Sequence, residues 1–169
     1  MNVNELLIKA QKSKSFLKEE ISLIEKAYNF AKTNHQNQKR KSGEIYFNHS
    51  YQTALKIADW QLDSPTIAAA LLHDVVEDTS LNINDIKKEF GEEIAFLVDG
   101  VTKIGRIKYR ENNHDKISKT PKRRSEMQAE NLRKLVLALS QDIRVILIKL
   151  ADRLHNMETL SAIAPQKQK

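Results

Sequence analysis

The stretch from 68 to 78, AAALLHDVVED, constrains the fold most because it places four polar groups in an apolar helix pattern. His73 and Asp74 interrupt the apolar run, and Glu77 and Asp78 follow one helical turn later. At about 100° per residue, all four side chains fall within an arc of about 140°. Burial of three carboxylates and an imidazole is unfavourable unless a positive charge compensates them, and a divalent metal ion is the simplest compensation. The run therefore predicts a buried helix at a metal site, and the alternative is an acidic patch at a helix end.

The size and composition of the chain are typical of one globular domain. Its 169 residues are 40% hydrophobic and 30% charged, with no cysteine. No apolar run approaches the roughly 20 residues that span a bilayer, and residues 1–14 do not resemble a secretion signal. We therefore expect a single domain over 1–169, located in the cytoplasm and without membrane contact. Any metal must be bound through nitrogen and oxygen, which disfavours a thiolate zinc site.

Glycine and proline are scarce, and no alternating pattern of β-branched residues occurs, which predicts an all-α fold. Ser64 followed by Pro65 is typical of a helix start, and Asn82 with Asp85 is typical of a capping box. The segment 104–124 is basic and lacks helical periodicity, so we expect a mobile loop there. The predicted helices cover about 16–34, 49–60, 64–78, 82–91, 92–101, a segment from 125, and 142–160.

The formal net charge of +6 favours an anionic partner. Basic residues concentrate at 39–41 and again over 103–124, and Tyr109 is the single aromatic residue near the second cluster. Nucleic acid, a membrane surface and a phosphorylated small molecule all fit this charge. The second cluster lacks the stacking platform of single-strand binders, and no recognition-helix motif is evident, so specific nucleic-acid binding is least favoured.

The last predicted helix carries a second polar cluster. Asp152, Asn156 and Thr159 are spaced i, i+4 and i+7, which places them on one face. An ion pair of Asp152 with Lys149 or Arg153 is the alternative to a ligand role, and satisfaction of the helix end is the alternative for Asn156 and Thr159.

Two histidines lie near these segments. His49 follows Tyr46 and Phe47 at the predicted start of a helix, where a packing or capping role is the alternative to metal binding. His155 lies about 60° off the line through Asp152 and Thr159, so we interpret it as structural.

The order His49, His73–Asp74, Asp152 is that of the HD phosphohydrolase superfamily. Longer blocks resemble the hydrolase domain of the RelA/SpoT family, from about 27 to 160. These blocks are QKRKSGE at 38–44, LLHDVVEDT at 71–79, FGEE at 90–93, VDGVTK at 98–103 and DIRVILIKLADRLHNM at 142–157.

This resemblance implies an HD-domain helical bundle and a manganese-dependent hydrolase. The implied reaction removes the 3′-pyrophosphate from ppGpp or pppGpp and yields GDP or GTP. The implied Mn²⁺ ligands are His49, His73, Asp74 and Asp152. Glu77 and Asp78 would position and deprotonate the attacking water. The implied substrate-binding residues are Arg40, Lys41, Ser42, Asn156 and Thr159.

The sequence departs from the family pattern at three places. Glu158 stands where an arginine is expected, and the loop over 106–124 is longer than usual. The sequence given ends at Lys169, so we expect from it a hydrolase domain without synthetase and regulatory domains. Neither its oligomeric state nor whether it is an excised domain or a short hydrolase follows from the sequence.

Two other functions remain open. A catalytically silent regulatory HD domain would have no need of the intact His73–Asp74 and Glu77–Asp78 pairs. An HD phosphohydrolase acting on other nucleotides would share the metal site but would not require the loop at 40–42.

Overall fold

The computed structural model describes residues 1–40, 43–106 and 142–160. Within these ranges the chain forms eight helices and no strand, apart from an isolated bridge between Lys39 and Ile45. The all-α prediction is therefore confirmed. The helices are α1 (Val3–Ala10), α2 (Lys18–Asn34), α3 (Tyr46–Asp59), α4 (Ser64–Leu72), α5 (Val75–Asp78), α6 (Ile83–Phe90), α7 (Glu92–Arg106) and α8 (Ile143–Glu158).

Helix α4 forms the centre of the bundle. It packs against α2, α3 and α7, and it also contacts α8. Every residue from Ile67 to Leu72 is fully buried, as expected for a helix that is apolar on all sides. The helix begins at Ser64, the start of the predicted range, and the Asp63 carboxylate accepts a hydrogen bond from the Thr66 amide at 3.1 Å. Asp63 is thus the N-cap, and Ser64 is the first helical residue.

The predicted single helix over 64–78 is wrong, because α4 ends at Leu72 and the short α5 begins at Val75. The physical reason lies in one side chain. Nδ1 of His73 lies 2.8 Å from the carbonyl oxygen of Ala70, which is the acceptor that the Asp74 amide would use in a continuous helix. The imidazole competes for this carbonyl, and the turn places His73 and Asp74 between two helices.

Other boundaries agree more closely with the sequence. The capping box of Asn82 and Asp85 is present at the start of α6, and Gly91, with φ of 86°, ends that helix. Helix α7 continues to Arg106, so the predicted loop does not begin at 104. The rest of that loop and the helix predicted from 125 lie outside the described residues. Helix α1 was not predicted.

Helix α8 packs against α3 and α7. Its contact with α7 is close at Gly100, where a Cβ atom would lie 2.9 Å from Cγ2 of Val145. None of the helices in the described ranges is long and apolar enough to cross a membrane.

Candidate metal centre

Three separate parts of the fold bring the four predicted metal ligands together. His49 lies in the first turn of α3, His73 and Asp74 lie between α4 and α5, and Asp152 lies in the second half of α8. His49, His73 and Asp152 are buried, and each offers a ligand atom within 4.8 Å of the others. Asp74 completes the group through Oδ2, 3.5 Å from Nε2 of His49, and through Oδ1, 3.2 Å from Nε2 of His73.

The tautomer of His73 follows from its backbone contact. A carbonyl oxygen can only accept, so Nδ1 of His73 carries the hydrogen that is donated to Ala70. Nε2 then presents a lone pair, and this buried nitrogen has no hydrogen-bond partner among the residues that the structure describes. A lone pair 3.2 Å from a carboxylate oxygen of Asp74 is unfavourable unless a cation lies between them. The donor set therefore fits a divalent metal ion.

His49 contacts acidic groups on one side of its ring and a histidine on the other. Nε2 lies 3.1 Å from Oδ1 of Asp152, and Nδ1 lies 2.8 Å from Nδ1 of His155. Burial lowers the pKa of His49, which favours the neutral imidazole that metal binding requires. Burial also lowers the pKa of His155, to about 4. The sequence interpretation of His155 as structural missed this contact.

Asp152 forms the ion pair considered from the sequence and also faces another predicted metal ligand. Its Oδ2 forms an ion pair with Lys149 at 2.7 Å, while Oδ1 faces His49. Burial on its own would raise the pKa of Asp152. The hydrogen bond with His49 and the nearby His73 and Lys149 outweigh burial and hold that pKa below its usual range. The carboxylate therefore stays ionised in a buried position.

Tyr46 links the predicted ligands to the predicted water-activating pair. Its single hydroxyl hydrogen is shared between Oδ2 of Asp78, the shorter contact, and Oδ2 of Asp74 at 3.2 Å. Burial, followed by the charge of Asp74, raises the pKa of Tyr46, so the hydroxyl remains a donor. Glu77 is half-buried and Asp78 is exposed, both in α5 next to the ligands. Sequence analysis noted Tyr46 only as a neighbour of His49.

A second chain of contacts joins the cluster to the loop before α3. Nδ2 of Asn156 donates to Oδ1 of Asp152 at 2.5 Å, and the guanidinium of Arg40 donates to Oδ1 of Asn156. Thr159 ends α8, and its hydroxyl donates to the His155 carbonyl at 3.0 Å. The structure therefore brings Arg40 and Asn156 to the ligands and places Thr159 at the adjacent helix end.

Two predicted substrate-binding residues, Lys41 and Ser42, lie outside the described residues. The departure at Glu158 has a local explanation, since its carboxylate forms an ion pair with Lys56 of α3 at 2.8 Å. This contact joins α8 to α3 on the exposed side of the bundle.

Comparison with known proteins identifies the family. The sequence model of the HD domain matches residues 27–169. The chain is 49% identical over 146 residues to a guanosine-3′,5′-bis(diphosphate) 3′-pyrophosphohydrolase of Aquifex aeolicus, covering 86% of the chain and 19% of that relative. It is 44% identical over 151 residues to the bifunctional (p)ppGpp synthase/hydrolase SpoT of Escherichia coli K12, covering 89% of the chain and 20% of the relative. The chain thus spans about a fifth of the length of these curated relatives.

A solved structure shows the same fold. It belongs to a metazoan ortholog of SpoT, described as hydrolysing ppGpp, and it superposes with a TM-score of 0.62 at 27% identity. The match covers 91% of this chain and 80% of the other. Since the family match spans most of the sequence and includes all four clustered side chains, the chain belongs to the HD domain family, and its sequence is of the RelA/SpoT type.

Proposed function

We propose that this domain hydrolyses the 3′-pyrophosphate of ppGpp and pppGpp, giving GDP or GTP and pyrophosphate. The observation that most supports a metal-dependent reaction is the buried Nε2 of His73, which has no hydrogen-bond partner within the described ranges and faces a carboxylate oxygen of Asp74. The names of the relatives support the guanosine substrate. Such a nucleotide would be encountered in the cytoplasm, which is the location we propose.

We assign the metal to His49, His73, Asp74 and Asp152, and we propose Mn²⁺ as the ion. Two imidazoles and two carboxylates form a mixed nitrogen and oxygen set, which suits a divalent first-row metal. When bound, the ion supplies Lewis-acid chemistry to the scissile phosphate. Other protein groups orient three of the four ligands: Ala70 for His73, Lys149 and Asn156 for Asp152, and Tyr46 for the half-buried Asp74.

We assign the movement of the proton to Glu77 and Asp78. Water must lose a proton as it attacks the phosphate, and a carboxylate next to the metal ligands is suited to accept it. The hydrogen bond from Tyr46 orients the Asp78 carboxylate. Glu77 is partly shielded from solvent, which suits a base that acts on a single ordered water.

Arg40 provides positive charge at the edge of the cluster. Its guanidinium is fixed by Asn156, which itself contacts Asp152, so the charge is held close to the proposed metal. A guanidinium in this position can stack on a purine or bind phosphate oxygens. We propose Lys41, Ser42 and Thr159 as further substrate contacts from the family resemblance.

The test is release of pyrophosphate from ppGpp by the purified chain, with Mn²⁺ and then with EDTA. We expect turnover with Mn²⁺ and none with EDTA. His73→Ala and Asp152→Ala should lose metal binding, whereas Glu77→Gln should keep it and lose turnover. Glu19→Gln, on the exposed surface of α2, is the matched control and should match the unaltered protein.

The same assay separates the alternatives. Metal binding without turnover of any nucleotide would indicate a silent regulatory domain. Turnover of GTP or deoxynucleoside triphosphates in preference to ppGpp would indicate a phosphohydrolase of different specificity. Full activity of Glu77→Gln would show that its role is misassigned.

A further inference from the structure

We propose that His155 is a positioning residue that accepts the Nδ1 hydrogen of His49 when a metal binds, so that Nε2 of His49 can present its lone pair to the metal. This inference rests on the metal site proposed above. His155 is not one of the assigned metal ligands. It acts through its contact with His49 and not by touching the metal or the substrate.

The contact between the two rings requires one donor and one acceptor. Nδ1 of His49 lies 2.8 Å from Nδ1 of His155, and both rings are buried, with exposed fractions of 2% and 5%. The ring centroids are 5.0 Å apart and the planes are inclined by 35°. Two neutral imidazoles at this distance share one hydrogen between these nitrogens. The hydrogen belongs either to His49 or to His155.

The other nitrogen of His49 decides which arrangement holds. In the metal-free protein Nε2 lies 3.1 Å from Oδ1 of Asp152, where an N–H can donate to the carboxylate. His49 then carries its hydrogen on Nε2, and its Nδ1 accepts from His155. A metal ion requires the opposite state, because a ligating Nε2 must present its lone pair.

Metal binding therefore exchanges the tautomers of both rings. In the loaded protein His49 carries its hydrogen on Nδ1 and donates to Nδ1 of His155, which carries its own hydrogen on Nε2. Each imidazole keeps one hydrogen, so the exchange releases no net proton. His73 differs, because the Ala70 carbonyl can only accept and fixes one tautomer whether or not metal is bound.

Nuclear magnetic resonance tests this exchange without reference to activity. Long-range ¹H–¹⁵N spectra of histidine-labelled protein should be recorded metal-free and with Zn²⁺, which is diamagnetic. We expect His49 to change from the Nε2–H to the Nδ1–H form, His155 to change in the opposite direction, and His73 to remain Nδ1–H. Zinc binding with His155 unchanged would overturn this inference alone. Failure of zinc to bind would overturn both it and the proposed metal site.

Two substitutions test the positioning role. An amide oxygen of asparagine lies near the position of Nδ1, so His155→Asn retains an acceptor, whereas His155→Leu removes it. We expect His155→Leu to weaken Mn²⁺ binding, measured by calorimetry, by about 10- to 100-fold, and His155→Asn to restore most of the affinity. Leu154→Ala, at a partly exposed position on the same helix, is the control and should bind Mn²⁺ normally. If both proteins fold, equal Mn²⁺ affinity of His155→Leu and the unaltered protein would overturn the proposal.

Discussion

Gly100→Ala should show how closely α7 and α8 must approach for the proposed metal ligands to meet. A Cβ atom at Gly100 would lie 2.9 Å from Cγ2 and 3.0 Å from Cγ1 of Val145. Val145 is 2% exposed and β-branched, so its helical rotamer cannot swing away. The added methyl group must therefore push α8, which carries Asp152 and His155, away from α7.

The expected magnitude combines two opposing contributions. Alanine is favoured over glycine inside a helix by about 1 kcal/mol. Overpacking of a buried contact costs about 1–3 kcal/mol. Gly100→Ala should therefore lower the free energy of unfolding by about 0–2 kcal/mol. When Val145→Ala removes both methyl groups, the clash disappears, and the same glycine substitution should raise the free energy of unfolding by about 1 kcal/mol.

Urea unfolding of the unaltered protein, both single variants and the double variant measures this coupling. We expect a coupling of about 1–3 kcal/mol between Gly100 and Val145. Gly100→Ala combined with Leu6→Ala in α1, which packs against α2 and α3, is the control and should be additive. Additivity within about 0.5 kcal/mol for the Gly100 and Val145 pair would refute the close approach.

Three further outcomes test the site and the core. Tyr46→Phe removes the donor to Asp74 and Asp78, and because a hydrogen bond to a charged group contributes about 1.5–3 kcal/mol, pyrophosphate release should fall about 10- to 100-fold. Mn²⁺ at 100 times its dissociation constant should raise the free energy of unfolding by about 2.7 kcal/mol, and unchanged urea curves would contradict binding to the folded site. Burial, with a hydrogen bond to Glu5, raises the pKa of Tyr51 to about 12. Because this folded value lies above the usual 10.0, stability should be retained below pH 10 and should fall as the pH rises towards 12. Tyr51→Phe should lessen that fall in alkaline urea titrations, and an identical fall in both proteins would exclude Tyr51 as its source.

The composition of the run at 68–78 predicted burial of four polar groups, and this prediction is confirmed for His73 alone. It is wrong for the three carboxylates, because Asp74 and Glu77 are half-buried and Asp78 is exposed at the end of the short α5. Periodicity did not predict the break after Leu72. That break depends on which acceptor the His73 side chain takes, and a hydrophobic pattern contains no information on this choice.

The long-range arrangement could not be derived from local patterns. His49 and Asp152 are separated by more than a hundred positions, and only the order of motifs in a known family suggested that they meet. His155 shows a second limit. It is three residues from Asp152 and is therefore its neighbour on the helix surface. The sequence analysis nevertheless left it out of the site, because it lies off the line through Asp152 and Thr159. Its contact comes from α3, whose position the sequence of α8 does not reveal.

The position of α4 explains how one small bundle accommodates a buried polar cluster. Its six consecutive fully buried residues, Ile67–Leu72, supply apolar contacts to three neighbouring helices. These contacts hold α3 and the turn after Leu72 in place whatever the state of the polar groups. His73 can then keep a nitrogen that faces a carboxylate and has no hydrogen-bond partner in the described part of the chain. In a flexible segment this arrangement would be unfavourable, because the side chains would turn towards solvent. The candidate metal centre therefore depends on the apolar core, because the packing around α4 holds the polar side chains in the positions that a bound cation would stabilise.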